Sequence, residues 1–244
     1  ASNSLDAIGN VRMNQGDTLS LAGDVLFYNG LDKLARVRNN VVLVHGKTTL
    51  YTDSLDYDRL YNVGYFFEGG HLVTQDNDMT SDWGEYRPET KVAVFNYNVH
   101  LVSPAPPQAA RTTLLTDTLY YNTVTSVANA RGPNNDLTLL KRSEMSNNGK
   151  KLIGDSIVWN SVDSIGEAFG NVVYTDLLNK NAMTGNYCYY DDKAGYSLGT
   201  DSACILDFSQ GADTMYMHAD SIKMYTFDIK TDSAYRTMHA FHHV

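Results

Sequence analysis

The chain has 244 residues, 43% of them hydrophobic, enough for one sizeable core. A formal charge of −9 argues against duplex nucleic acid, which needs a basic face. The absence of any apolar run of about 18 residues argues against a membrane-spanning helix.

The chain starts Ala1-Ser2-Asn3 with no secretory leader pattern, which reads as a mature or trimmed terminus. GNVRMN, Gly9 to Asn14, then reads as a strand. LAGDVLFY (Leu21–Tyr28) follows, and its pattern returns six more times. The copies are LYTDSLDY (50–57), MTSDWGEY (79–86), LLTDTLYY (114–121), LIGDSIVW (152–159), MTGNYCYY (183–190) and MHADSIKM (217–224). The anchors Asp24, Asp53, Asp82, Asp117, Asp155, Asn186 and Asp220 recur every 30 to 40 residues or so, the range of repeat architectures.

Inside each copy the period is that of a strand. Leu55 and Tyr57 alternate with Ser54 and Asp56, and Ile157 and Trp159 behave alike. The parity breaks at the anchor: Leu50 belongs to one parity, Leu55 and Tyr57 to the other. Each strand is therefore expected to bend or bulge there. The short carboxylate is expected to accept backbone N–H bonds at the corner, so all seven anchors read as structural. Seven equivalent corners make poor catalytic acids. Behind each corner comes a second strand, often entered through a Gly/Asn step, as in NNVVLV (39–44), YNVHLV (97–102) and GNVVYT (170–175). Polar turns such as Asn29-Gly30 and Asp191-Asp192-Lys193 separate the two.

Two segments stretch the spacing: Ser103 to Arg111, rich in proline, and Lys141 to Lys151, which contains Asn147-Asn148-Gly149. Both are expected as loops on one edge of the stack. Cys188 and Cys204 read as buried free thiols. His218, His239, His242 and His243 are expected to fray with the chain end rather than hold a metal. No nucleophile elbow, metalloprotease helix motif, phosphate loop or dinucleotide fingerprint is present, and no cofactor is expected.

The expected fold is all-β: about seven repeats of V-shaped antiparallel strands stacked as an open jellyroll or solenoid. Residues 1–244 form a single such domain, and half-units at both ends suggest a fragment of a longer protein. One layer of the lining is Leu26, Tyr28, Leu55, Tyr57, Tyr86, Leu119, Tyr121, Ile157, Trp159, Tyr190 and Ile222. The opposing layer is Val11, Met13, Val41, Leu43, Val99, Leu101, Val172 and Tyr174. Layers in full contact make a dry core, and splayed layers make an apolar groove. Both remain open from sequence.

The alternation of corners such as TDSLDYD and GDSIVWN with GNV-type strands resembles the OstA-like family. The opening, residues 5–46, is especially similar to its Bacteroidota members. The resemblance implies a periplasmic or outer-membrane-associated transport module, not an enzyme. Its lining residues would cradle the acyl chains of lipopolysaccharide, and its strands would stack end to end as a bridge between membranes. Partners would be lipopolysaccharide, transport proteins of the same fold and further copies of this chain, head to tail. Gly84 and Asn186 depart from the pattern. The competing readings are a ligand-free structural or adhesive β-solenoid and a polysaccharide-acting enzyme on a β-helix.

Overall fold

A computed structural model describes residues 3–103, 111–132, 142–209, 211, 213–227 and 235–244. These residues form nineteen strands and no helix. The chain groups into two units, Ala1–Pro107 with Thr118–Ser126, and Gln108–Asp117 with Val127–Val244.

The first unit runs through β1 (Ser4–Gln15), β2 (Leu19–Asn29), β3 (Leu34–His45) and β4 (Thr48–Asp58). It continues with β5 (Val63–Phe66), β6 (Gly70–Val73), β7 (Asp78–Ser81), β8 (Trp83–Arg87) and β9 (Val92–Ser103). β10 (Thr112–Asn122) contributes to both units. The second unit continues with β11 (Val127–Arg131), β12 (Ser143–Asn147), β13 (Lys150–Gly154), β14 (Ser156–Asn160) and β15 (Ile165–Asp176). It ends with β16 (Asn181–Asp191), β17 (Tyr196–Asp207), β18 (Met215–Phe227) and β19 (Tyr235–Phe241). Successive strands pair antiparallel, β1 with β2 through β4 in the first unit and β15 through β19 in the second.

Every long strand is kinked near its middle, and the sequence shows why. Where β3 meets β4, the register jumps from Arg38↔Ser54 to Val41↔Thr52. Asp53 therefore faces two residues, Asn39 and Asn40, both left-handed with φ of 61° and 51°. The same two-against-one bulge sets Gly9-Asn10 against Asp24, Gly170-Asn171 against Asn186, and Asp201-Ser202 against Asp220. The anchor residue does break the parity, but the additional residue sits on the facing strand. Left-handed backbone costs most side chains about 1–2 kcal/mol, and Gly and Asn bear it best. That is the physical content of the recurring Gly/Asn step.

The anchor side chain holds this bulge. Asn40 donates from its backbone N to Asp53 Oδ1 (3.3 Å) and from Nδ2 to Asp24 Oδ2 (2.7 Å). Asn98 Nδ2 donates to Asp82 Oδ2 (2.7 Å), Asn171 Nδ2 to Asp155 Oδ2 (3.1 Å), and Asn171 N to Asn186 Oδ1 (3.3 Å). Asn can stand in for Asp at 186 because its amide oxygen also accepts from the Asn171 N–H. The residue before each anchor sits in the crotch of the V and is small. A Cβ on Gly23 would lie 2.4 Å from Val37 Cγ1, and one on Gly185 would lie 2.8 Å from the Thr200 carbonyl oxygen.

Several expectations are corrected. His242 and His243 do not fray: they are the left-handed pair of the last corner, with φ of 57° and 48°. His243 Nδ1 lies 2.8 Å from Asp220 Oδ2, and Asp220 N donates to the His242 carbonyl (3.0 Å). From Ser143 on, the second spacing segment is not a loop but the hairpin β12–β13, turned by Asn148-Gly149, both left-handed. Residues 133–141, which include Lys141 at the start of that segment, lie outside the described residues. Residues 104–110 of the proline-rich segment lie outside the described residues. Both cysteines are free. Burial pushes the Cys188 thiol up to about 12, whereas Cys204 is only half-buried.

The corner chemistry makes a direct prediction. Asn40→Val places a β-branched residue in left-handed backbone and removes the side-chain hydrogen bond to Asp24. It is expected to destabilise the protein by about 2 kcal/mol or more in urea denaturation, and Asn40→Gly by less.

Candidate functional site

Each corner divides a strand into two legs, and the legs of neighbouring strands form two facing layers. In the first unit one layer contributes Leu21, Leu43, Leu50, Leu72, Met79, Val99 and Leu101. The other contributes Val37, Leu55, Tyr57, Phe66, Tyr86, Phe95, Leu119 and Tyr121. All these side chains are buried. In the second unit Met145, Leu152, Val172 and Met183 face Ile157, Trp159, Ala168 and Ile222.

Of the lining residues expected from sequence, Leu26, Val41, Leu43, Leu55, Tyr57, Tyr86, Val99, Leu101, Leu119, Tyr121, Ile157, Trp159, Val172, Tyr174 and Ile222 are buried. Tyr28, Tyr190, Val11 and Met13 are only half-buried. The apolar residue of the leg before the anchor is buried too: Leu21, Leu50 and Met79 in the first unit, and Leu114, Leu152 and Met183 in the second. Its signal was present as the apolar residue three places ahead of each Asp. Gly84 leaves no gap. A Cβ there would meet the Val94 carbonyl oxygen at 2.2 Å and Phe66 Cζ at 2.6 Å, and one on Gly70 would meet the same ring at 2.2 Å. The Phe66 ring occupies the space both glycines vacate and lies 6.0 Å from Phe95.

The space between the legs is thus filled by the protein's own side chains: Leu55, Tyr57, Phe66, Tyr86 and Leu119 are each 0% exposed. The two sides of this interior differ. One side is closed by backbone, at the corners. The other, the mouth, is bridged by polar contacts between leg tips. Gln15 Nε2 donates to Asn62 Oδ1 (2.8 Å), Tyr86 Oη lies 2.9 Å from His45 Nδ1, and Asn77 Nδ2 donates to Tyr121 Oη (2.6 Å). In the second unit Lys150 Nζ donates to Tyr190 Oη (2.9 Å), and Arg236 Nη2 pairs with Asp176 (3.2 Å), itself 1% exposed.

The aromatic four places after the anchor is the element that reaches across. Its ring is core and its hydroxyl is at the mouth, as suits an amphipathic side chain. Sequence reasoning placed these tyrosines in the lining but missed their partners His45, Asn77 and Lys150, and missed the Gln15–Asn62 and Asp176–Arg236 contacts beside them. Those sit at leg tips far away in sequence, with no motif of their own. Tyr57 Oη and Trp159 Nε1 are buried without a partner, so two positions in the row lack a bridge. A surface cleft of about 770 Å³ opens over the His45–Tyr86 contact, lined also by Asp17, Lys47, Thr48, Lys91 and Thr123. Burial pushes the Tyr57, Tyr86, Tyr174 and Tyr190 phenols up, so all stay neutral hydrogen-bonding groups. Burial, then the Lys91 charge, lowers His45 below its ordinary 6.5. No group of three or more acidic, His or Cys side chains suited to a metal exists among the described residues.

Kinked strand pairs with an apolar interior and Asp-capped corners run through the first unit. Residues 1–106 match the OstA-like protein family. The OstA-like segment thus covers most of the first unit, from β1 to the end of β9. No curated protein matches the chain. Among solved structures, the chain is similar to LptH from Pseudomonas aeruginosa, described as the LptA homologous periplasmic component of the conserved lipopolysaccharide transport device. The two share 14% identity with a TM-score of 0.45, over 53% of this chain and 94% of that one.

Two predictions follow from the filled interior and its mouth. Leu119→Glu buries an unpaired charge, is expected to cost several kcal/mol (about 3–5), and should abolish the cooperative thermal transition. The His45 pKa is lower folded than unfolded, so the unfolded chain takes up the proton first. Stability is therefore full above pH 6.5 and falls as pH drops from there toward the lowered folded value. A fluorimetric melting series should show this decline in the wild type and a smaller one in His45→Asn.

Proposed function

We propose that the chain is a lipid-carrying module of lipopolysaccharide transport. Acyl chains lodge between the two legs after the mouth contacts part. The observation that carries this reading is the asymmetry of the interior: apolar throughout, closed by backbone at the corners, and bridged at the mouth by side-chain hydrogen bonds. A net protein hydrogen bond is worth about 1 kcal/mol, so the bridges add little to the apolar packing between the legs, and an entering chain that buries many methylenes replaces that packing. The OstA-like match over residues 1–106 supports the same reading, as does the family resemblance of the corners. A periplasmic setting accords with it.

Among the described residues β1 pairs only with β2, and β19 only with β18, at the two outer edges of the described strands. On β1 Ile8 is 83% exposed. We propose that transport proteins of the same fold, or further copies of this chain, add to these edges head to tail.

The full packing of the interior favours a second reading, a ligand-free β-solenoid. Photo-leucine at position 119 decides between them. Illumination with lipid A vesicles is expected to give a covalent lipid adduct by mass spectrometry, increased in Asn77→Ala, which removes a mouth contact. No adduct in either protein would leave the solenoid reading.

A further inference from the structure

The second unit holds a cavity of about 540 Å³, within the range of small-molecule sites, roughly 300–1,000 Å³. Its floor is apolar: Met183, Ile205 and Met224 are 3%, 3% and 9% exposed. Four tyrosines line it, Tyr174, Tyr190, Tyr196 and Tyr235. The Tyr174 and Tyr190 rings lie 6.1 Å apart at 31°. Tyr196 and Tyr235 carry the aromatic surface on beyond the cavity. Tyr196 lies 5.1 Å from Tyr225, and Tyr235 stacks on Phe227 at 5.0 Å. Tyr235 and Phe227 are 54% and 42% exposed, so this ring pair is open to solvent beside the cavity.

The polar part of the lining decides the class of ligand. Lys150 and Arg236 bring two positive charges, but Lys150 is paired with Asp192 and Arg236 with Asp176, and Asp207 adds a negative one, so the cavity holds no cation left over to select an anion. What it offers is hydrogen-bonding variety: carboxylates, the amides of Asn179 and Asn181, an ammonium, a guanidinium and phenols. Much of this is held in place. Asn179 donates from N and from Nδ2 to Asp176 (3.0 and 2.6 Å), the carboxylate that also holds Arg236. Lys150 Nζ is tied to the Tyr190 hydroxyl and lies 5.3 Å from its ring centroid. The Tyr190 hydroxyl donates to Asp192.

An uncharged ligand rich in hydroxyls, with flat C–H faces for aromatic rings, satisfies both halves of this lining. The geometry points to a saccharide-binding site: a pyranose ring stacks on the tyrosines, and its hydroxyls meet Asn181, Asp207 and Lys150. Binding of tail-free sugar at this site does not depend on acyl chains entering the interior.

The test uses the full chain and four disaccharides without lipid: maltose, cellobiose, lactose and N,N′-diacetylchitobiose. Saturation-transfer difference NMR is expected to show transfer to the ring C–H protons of at least one. Tyr235→Ala and Asn181→Ala are each expected to weaken that binding tenfold or more. Both substitutions are at accessible tip positions, and unchanged circular dichroism and melting temperature verify the fold. No transfer to any of the four sugars overturns the proposal, as does transfer undiminished in both variants. Photo-leucine labelling at position 119 is read separately, so a lipid failure and a sugar failure are distinguishable.

Discussion

The structure depends on one contact: a short acceptor side chain facing two consecutive left-handed residues on the next strand. Without it, a strand with period two would send Leu50 and Leu55 to opposite faces. With it, both legs of β4 turn their apolar side chains to the same interior. The left-handed pair supplies the curvature, and the Asp or Asn oxygen takes up donors the bulge would leave unpaired, as at Asn40 and Asn171. Repeated along the chain, this contact turns a set of ordinary hairpins into two facing layers.

The consequence is an interior with unequal sides. The corners are continuous backbone held by side-chain caps, and parting them means breaking strand ladders. Among the described residues the mouth carries side-chain contacts such as His45–Tyr86, Asn77–Tyr121 and Arg236–Asp176. Apolar packing between the layers holds the fold together, and these polar contacts line its rim. The tyrosine is the residue type that serves both, because its ring packs while its hydroxyl bonds at the rim.

Much of this was legible in one chain because the chain repeats itself. The Asp anchors, the Gly/Asn steps and the alternation after each anchor identified kinked strand pairs and most of the buried face. Errors came where a residue type is ambiguous on its own. His242 and His243 looked like a loose end because they lie at the end of the chain, where fraying is common, yet they occupy the pair position that Asn and Gly hold elsewhere. Asn147-Asn148-Gly149 looked like a loop because turn chemistry was read without the short strands on either side of it.

The sequence by itself determined the corners, the strand period and the identity of the greasy face, because each is encoded by neighbours a few residues apart. Only the tertiary structure decided whether that face is a groove or a filled interior. The answer rests on side chains from strands distant in sequence, such as Phe66 entering the space beside Gly84 and Gly70. It also alone brought Gln15 to Asn62, Asn77 to Tyr121 and Arg236 to Asp176. Such pairs depend on the stagger between the two layers, a property of the stacked strands that no local pattern carries.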